Sequence, residues 1–245
     1  MPHPTPARYV AQANDQRRMP LPPLFWPTVL FVYALLVLQL GGLDEWIVGH
    51  FYDPAQHRFP WRHRFLTETL LHDGGRRLML AFAAFVALAA FAALFKTRLR
   101  TWRRRLVYLL IAVALSVALV NLGKRLSNID CPWDLAEYGG DRAHYGLFAA
   151  KPASEPVGHC FPGGHSSSGF SLFALYFVGL ASGVRRPRLL LLPALLLGAV
   201  FAADQWARGA HFPSHDLTTA YLCWLISLLT YRHLLWQQAL PAPSS

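Results

Sequence analysis

The sequence predicts an all-α, polytopic membrane protein with six transmembrane helices in a bundle. Of its 245 residues, 54% are apolar and only 15% are charged, whereas soluble domains average about 25% charged residues. The apolar residues form runs near the length that an α-helix needs to cross about 30 Å of hydrocarbon. A helix satisfies its own backbone hydrogen bonds in lipid, so no strand is needed to account for these runs. The composition therefore argues against a soluble enzyme.

Six apolar runs are the predicted transmembrane segments. Their limits in chain order are 24–43, 78–95, 106–123, 166–184, 189–203 and 217–235. The fifth run is the shortest and contains Pro193, but a bundle can shelter the carbonyl that a proline leaves without a donor. The expected units are an N-terminal tail at 1–23, a membrane domain at 24–235 and a C-terminal tail at 236–245.

The distribution of positive charge predicts the orientation of these helices. If the N-terminus is cytoplasmic, the inner segments contain 13 of the 23 Lys and Arg residues and one acid, Asp15, whereas the outer loops contain 12 acids. Cytoplasmic loops carry such an excess of cations, so both termini are expected in the cytoplasm, as in a multi-pass protein of a bacterial inner membrane. No nucleic-acid partner is expected, because no basic face is interleaved with stacking aromatic residues.

Three polar clusters fall on the outer side in this topology. Lys124 follows the third run and His165 precedes the fourth. The third cluster lies between the last two runs and consists of Arg208, His211, His215 and Asp216. Taken singly, Lys124 and its neighbour Arg125 could be interfacial anchors. Ionisable residues at membrane depth are costly, however, and their shared location favours one functional site.

The residue types in these clusters suit a phosphate group. Gly163 and Gly164 allow close approach of the backbone, and the helix that follows them offers free N–H groups and a positive dipole end. His165 can donate a proton to a leaving oxygen. The Arg208 guanidinium matches phosphate oxygens, and an oriented His211 can act as a nucleophile.

The order and spacing of these residues resemble a known family. The three parts are Lys124 followed after six residues by Cys131-Pro132, then Pro162-Gly163-Gly164-His165, then His211-Phe212-Pro213-Ser214 with a nearby acid. They are similar to the signature of the type 2 phosphatidic acid phosphatase superfamily, which includes membrane lipid phosphatases. The resemblance covers residues 124–216 and implies a six-helix membrane phosphatase.

The sequence departs from the family pattern at several positions. Cys131 stands where the family has Arg, Gly163 where it has Ser, and Asp204-Gln205 where it has Ser-Arg. The acid is displaced as well, because His215 stands at the family's spacing and Asp216 follows it. Arg208 lies one helical turn after Gln205 and can reach the same anion. The two candidates to replace the arginine of the first motif are Arg125 and Arg142.

Cys131 and Cys160 bracket the loop between the first two motifs, with 28 residues between them. In an oxidising periplasm we hypothesise a disulfide between them. The alternative is two buried thiols. Cys223 lies inside the sixth run and is assigned to packing.

Together these features predict a phosphatase that acts on a lipid phosphate at the periplasmic face. Its substrate would be lipid A, undecaprenyl diphosphate or a phospholipid phosphate. His211 would be the nucleophile and His165 the general acid, with Asp216, or else His215, orienting His211. The predicted phosphate ligands are Lys124, Arg208, Gly163 and Gly164, supported by Gln205, Arg125 or Arg142.

Three alternatives to this phosphatase remain. The same phosphohistidine can pass its phosphoryl group to another lipid, or the protein can be an inactive anion-binding membrane protein. A third interpretation makes a zinc or manganese site of His165, His211, His215 and Asp216. Cations beside the two glycines favour an anion over a metal, so no metal and no cofactor are expected.

Overall fold

The computed structural model describes residues 22–236, and the all-α prediction is confirmed for this part of the chain. Apart from two isolated β-bridges, every regular element within it is helical. The predicted tails lie almost entirely outside the described residues, at 1–21 and 237–245.

The α-helices, numbered along the chain, are α1 (Pro22–Leu40), α2 (Leu43–Gly49), α3 (Gly75–Phe95), α4 (Arg103–Leu126), α5 (Gly164–Phe170), α6 (Ala174–Ala181), α7 (Leu192–Ala207) and α8 (Pro213–Leu234). A π-helical segment, Phe65–Gly74, runs directly into α3. Short 3-10 turns occupy Thr97–Leu99, Pro132–Asp134, Ala136–Tyr138, Ser171–Phe173 and Pro187–Leu191.

Three helical stretches of the described chain are long and apolar enough to cross a membrane. They are Phe65–Phe95, Arg103–Leu126 and Pro187–Ala207. Helices α1 and α2 make a fourth if the pair, bent by 68°, counts as one span. The number of six spans and their orientation in the membrane therefore stay predictions. The predicted fourth run is divided at a 3-10 turn into α5 and α6, and the sixth, in α8, has several polar side chains.

Helix α8 occupies the interior of the bundle, which explains its polar composition. It packs against α1, α4 and α5, and most of its length is buried. The Tyr108 hydroxyl of α4 donates a hydrogen bond to the backbone oxygen of Ser227 at 3.0 Å. Helices α1, α3 and α4 instead expose large apolar side chains such as Leu40, Phe85 and Leu119. Such faces are typical of helices that contact lipid.

Two glycines let α5 and α7 approach closely. A Cβ atom on Gly169 would lie 2.5 Å from the backbone nitrogen of Gly198, and one on Gly198 would overlap the Phe170 ring. Small residues at a helix crossing allow such backbone contact. The contact fixes the end of α5 against α7, whose last turn leads into the loop with Arg208 and His211.

Candidate active site

His211 and Asp216 form a buried pair at the start of α8. The Nδ1 atom of His211 lies 3.0 Å from Oδ1 of Asp216, and both residues are almost fully buried. Ser166 Oγ donates to the same carboxylate oxygen at 2.5 Å, and Trp206 Nε1 donates to the other at 2.8 Å. The first turn of a helix also favours a carboxylate. Asp216 is thereby fixed by three donors, and Nε2 of His211 is left as the nitrogen available for chemistry.

His215 stands at the family's spacing for the acid beside His211, but its side chain lies away from the His211–Asp216 hydrogen bond. Its ring centroid lies 6.2 Å from that of His211, and it packs edge-on against Phe161 and Phe212. Within the described chain its Nδ1 atom is buried without a hydrogen-bond partner. The side chain that hydrogen-bonds His211 is that of Asp216.

Gly163 touches this pair, although its N–H has another partner. The backbone nitrogen predicted to bind phosphate donates instead to the His215 carbonyl oxygen at 3.2 Å. A Cβ on Gly163 would overlap Asp216 Oδ1 and lie 2.8 Å from His211 Nδ1. The glycine is therefore required by the packing of the pair, and its N–H is not free for a ligand.

The neighbouring residues Gly164 and His165 connect the pair to α4. A Cβ on Gly164 would lie 3.7 Å from the Nζ atom of Lys124, so the last turn of α4 meets the first turn of α5. Because Gly163 contacts His211 and Gly164 contacts Lys124, the structure brings the three predicted clusters to one end of the bundle.

The His165 ring is positioned by the segment before α3. It lies 4.6 Å from His72 and 4.6 Å from Phe201, measured between ring centroids. A backbone hydrogen bond joins it to Leu71 in the π-helical segment. Its Nε2 atom is buried and has no hydrogen-bond partner among residues 22–236, so no protein group competes for a proton at this nitrogen.

Arg208 is buried, and its contacts are with the segment before α3. Its Nε donates to the Arg62 carbonyl oxygen at 3.1 Å, and its Nη2 lies 3.8 Å from Glu68 Oε1. Gln205 donates from Nε2 to Asp204 Oδ2 at 2.6 Å, and its backbone oxygen accepts from Ala210 N at 2.8 Å. These residues shape the loop before His211.

Arg142, a candidate for the missing arginine, has a structural partner elsewhere. Its Nη1 donates to Asp130 Oδ1 at 2.6 Å, and this bond holds the pKa of the guanidinium above its usual value. Lys151 pairs with the other oxygen of Asp130. Arg142 therefore ties its loop to Asp130, while Arg125 is exposed on the last turn of α4.

The same loop carries Cys131 and Cys160. The structure joins Cys131 and Cys160 in a disulfide with their Cα atoms 5.1 Å apart. The Cys160 N–H also donates to the Ile129 oxygen at 2.9 Å. Cys223 is a buried free thiol.

Sequence reasoning missed a pair of residues that holds the start of α8. Asp44 accepts the Ser214 N–H at 2.9 Å, and Gln39 Nε2 donates to Asp44 Oδ2 at 2.5 Å and to Ser214 Oγ at 3.0 Å. The only signal was a carboxylate directly after an apolar run, which is costly unless it has a partner.

The described residues contain no group of three or more His, Cys, Asp or Glu side chains placed to hold a metal ion. The zinc or manganese interpretation thus lacks a ligand cluster in this part of the chain.

In a comparison with protein families, the chain matches the model of the PAP2 superfamily over residues 105–239. This range is more than half of the chain, and it contains all three motifs. Members of this superfamily are generally phosphatases. No curated protein and no solved structure matched the sequence. The match covers the helices that bring Lys124, His165 and His211 together, and on this evidence the chain belongs to the PAP2 superfamily.

Proposed function

We propose that the protein is an integral-membrane phosphatase that hydrolyses a lipid phosphate through a phosphohistidine. The observation that carries the proposal is the buried His211–Asp216 pair next to His165 and Lys124. A nucleophile, an orienting carboxylate, a proton donor and a cation are the groups that phosphoryl transfer to a histidine requires.

In the first step, Nε2 of His211 attacks phosphorus and the bond from phosphorus to the lipid oxygen breaks. Asp216 accepts the hydrogen bond from Nδ1 and stabilises the positive charge that develops on the ring. His165 gives its proton to the departing oxygen from Nε2, the nitrogen that has no protein partner among residues 22–236. In the second step His165 takes a proton from water, which attacks phosphorus and releases inorganic phosphate and free His211.

The phosphate oxygens would be bound by Lys124 and by the N–H groups at the start of α5, beginning with Gly164. Arg208 lies three residues before His211, and we expect the donors that it does not use for Arg62 and Glu68 to reach a phosphate oxygen. Preorganised donors of this kind stabilise the charge that builds up in the transition state.

The proposed setting is the periplasmic face of a bacterial inner membrane, with six spans in the domain 24–235 and both termini in the cytoplasm. The exposed apolar faces of α1, α3 and α4 support burial in lipid. The proposed substrates are lipid A, undecaprenyl diphosphate, phosphatidylglycerol phosphate and phosphatidic acid, because the site recognises the phosphate that they share.

Phosphate release from these four lipids in detergent tests the proposal. We expect His211→Ala and His165→Ala each to lower release by at least about 100-fold, since the first removes the nucleophile and the second removes the group that activates water. His233→Ala is the matched control, because His233 is exposed at the far end of α8.

Release at the wild-type rate from either active-site variant would remove the assignment of that histidine. Release of inorganic phosphate from a single lipid without an acceptor would exclude obligate transfer to a second lipid. Failure to release phosphate from all four lipids would instead favour the inactive anion-binding protein.

A further inference from the structure

A second, strongly basic pocket lies at the other end of α4. It has a volume of about 380 Å³, and four of its lining residues are arginines: Arg100, Arg103, Arg104 and Arg105. Helix α4 runs from Arg103 to Leu126, so at 1.5 Å per residue this pocket lies about 30 Å from Lys124. It is therefore separate from the candidate active site, and its role does not depend on the proposed reaction.

The positive charge at this pocket is not compensated by the protein. Helix α4 begins with three consecutive arginines and has no acid in its first turn, although the N-terminal end of a helix dipole disfavours cations. Arg100, Arg103 and Arg104 are exposed, and none of them has an ion-pair partner within the described residues. The surrounding chain segments 96–129, 174–203 and 217–236 contain neither Asp nor Glu.

The fourth arginine is already held in place and has a free donor. Arg105 donates from Nη1 to the Thr101 oxygen at 2.7 Å and from Nη2 to the Ala181 oxygen at 2.9 Å. Its guanidinium also lies 5.3 Å from the centre of the Trp102 ring. Its Nε atom is buried without a partner among residues 22–236. A buried donor left unsatisfied is costly, so this guanidinium retains a hydrogen-bonding capacity that the described residues do not use.

We propose that this pocket binds a phosphate-bearing anion. Guanidinium groups match phosphate oxygens in charge and in fork geometry. The phosphate can come from a lipid headgroup or from inorganic phosphate. Leu235 lines the pocket and Trp102 contacts Arg105. Both favour the headgroup, since tryptophan and apolar side chains commonly flank lipid at the membrane interface.

The test compares two double variants that remove the same charge from the same end of the bundle. Arg103→Gln/Arg104→Gln changes the pocket, whereas Arg185→Gln/Arg186→Gln changes exposed arginines that do not line it. Retention of phosphatidylglycerol and of phosphatidylcholine is measured by native mass spectrometry of the purified protein. Binding of inorganic phosphate is measured in parallel by thermal shift.

We expect wild type and the control to retain phosphatidylglycerol in preference to phosphatidylcholine. The pocket variant should bind phosphatidylglycerol at least about tenfold more weakly, because the variant loses charge-assisted hydrogen bonds. If inorganic phosphate alone stabilises wild type and control but not the pocket variant, the ligand is the free anion. Equal losses in the two double variants, or no binding of either probe by wild type, would overturn the proposal.

Discussion

Gly163 and Asp216 both depart from the family pattern, and in the structure these two residues are in direct contact. The family has a serine in the second motif and an acid one position earlier than Asp216. Here the Asp216 carboxylate lies where a side chain on residue 163 would have to begin. The displaced acid keeps its contact with His211 because the serine has been replaced by glycine.

This relation predicts a large effect from a single methyl group. Gly163→Ala should lower phosphate release by about 100-fold, because the new Cβ must push Asp216 or His211 out of line, and a displacement of about 1 Å in such a site has that cost. Gly49→Ala is the control, since a Cβ on Gly49 has no atom within 4 Å. Equal activity in the two variants would show that the pair tolerates a side chain at 163.

At the scale of elements, the start of α8 is the point on which the site depends. It carries Asp216, it follows His211 directly, and its first turn is capped by Asp44 from α2. Gln39 of α1 joins the same group and also accepts the Leu147 N–H at 3.2 Å. The first two helices thereby hold the third motif in position, although they lie outside the matched family range.

Asp44→Ala should therefore destabilise the protein as well as lower its activity. When a capping carboxylate is removed, its buried donors lose their partner, and the free energy of unfolding falls by about 1–3 kcal/mol. Thermal unfolding in detergent measures the change, with Asp141→Ala as the control because Asp141 is exposed. A melting temperature equal to that of the control would show that α8 does not need this cap.

For the molecule as a whole, the sequence was sufficient to predict the all-α class and the protein family. Long apolar runs predict helices without reference to the rest of the chain, and the motifs predict which residues meet. Two of the predicted spans were less regular than expected. The fourth run is interrupted at Ser171–Phe173, and the sixth run belongs to a helix whose polar residues are buried by its neighbours.

The remaining features depend on contacts between distant parts of the chain. Spacing alone left Asp216 and His215 as alternatives, because the choice depends on where α8 begins. No local pattern indicates the π-helical segment that positions His165. Asp44 is visible as a carboxylate after an apolar run, but its partner Ser214 lies 170 residues later in the chain. The role of Arg142 likewise depends on how its loop folds onto Asp130.

Trapping the phosphorylated residue tests directly whether His211 is the nucleophile. The measurement uses His165→Ala with undecaprenyl diphosphate, whose phosphate leaving group departs without a proton donor, so His211 is phosphorylated while attack by water is slow. Rapid quenching and peptide mass spectrometry should find an acid-labile phosphate on His211, and none in the variant that also carries His211→Ala. Phosphate on another residue, or turnover by that double variant, would contradict the account.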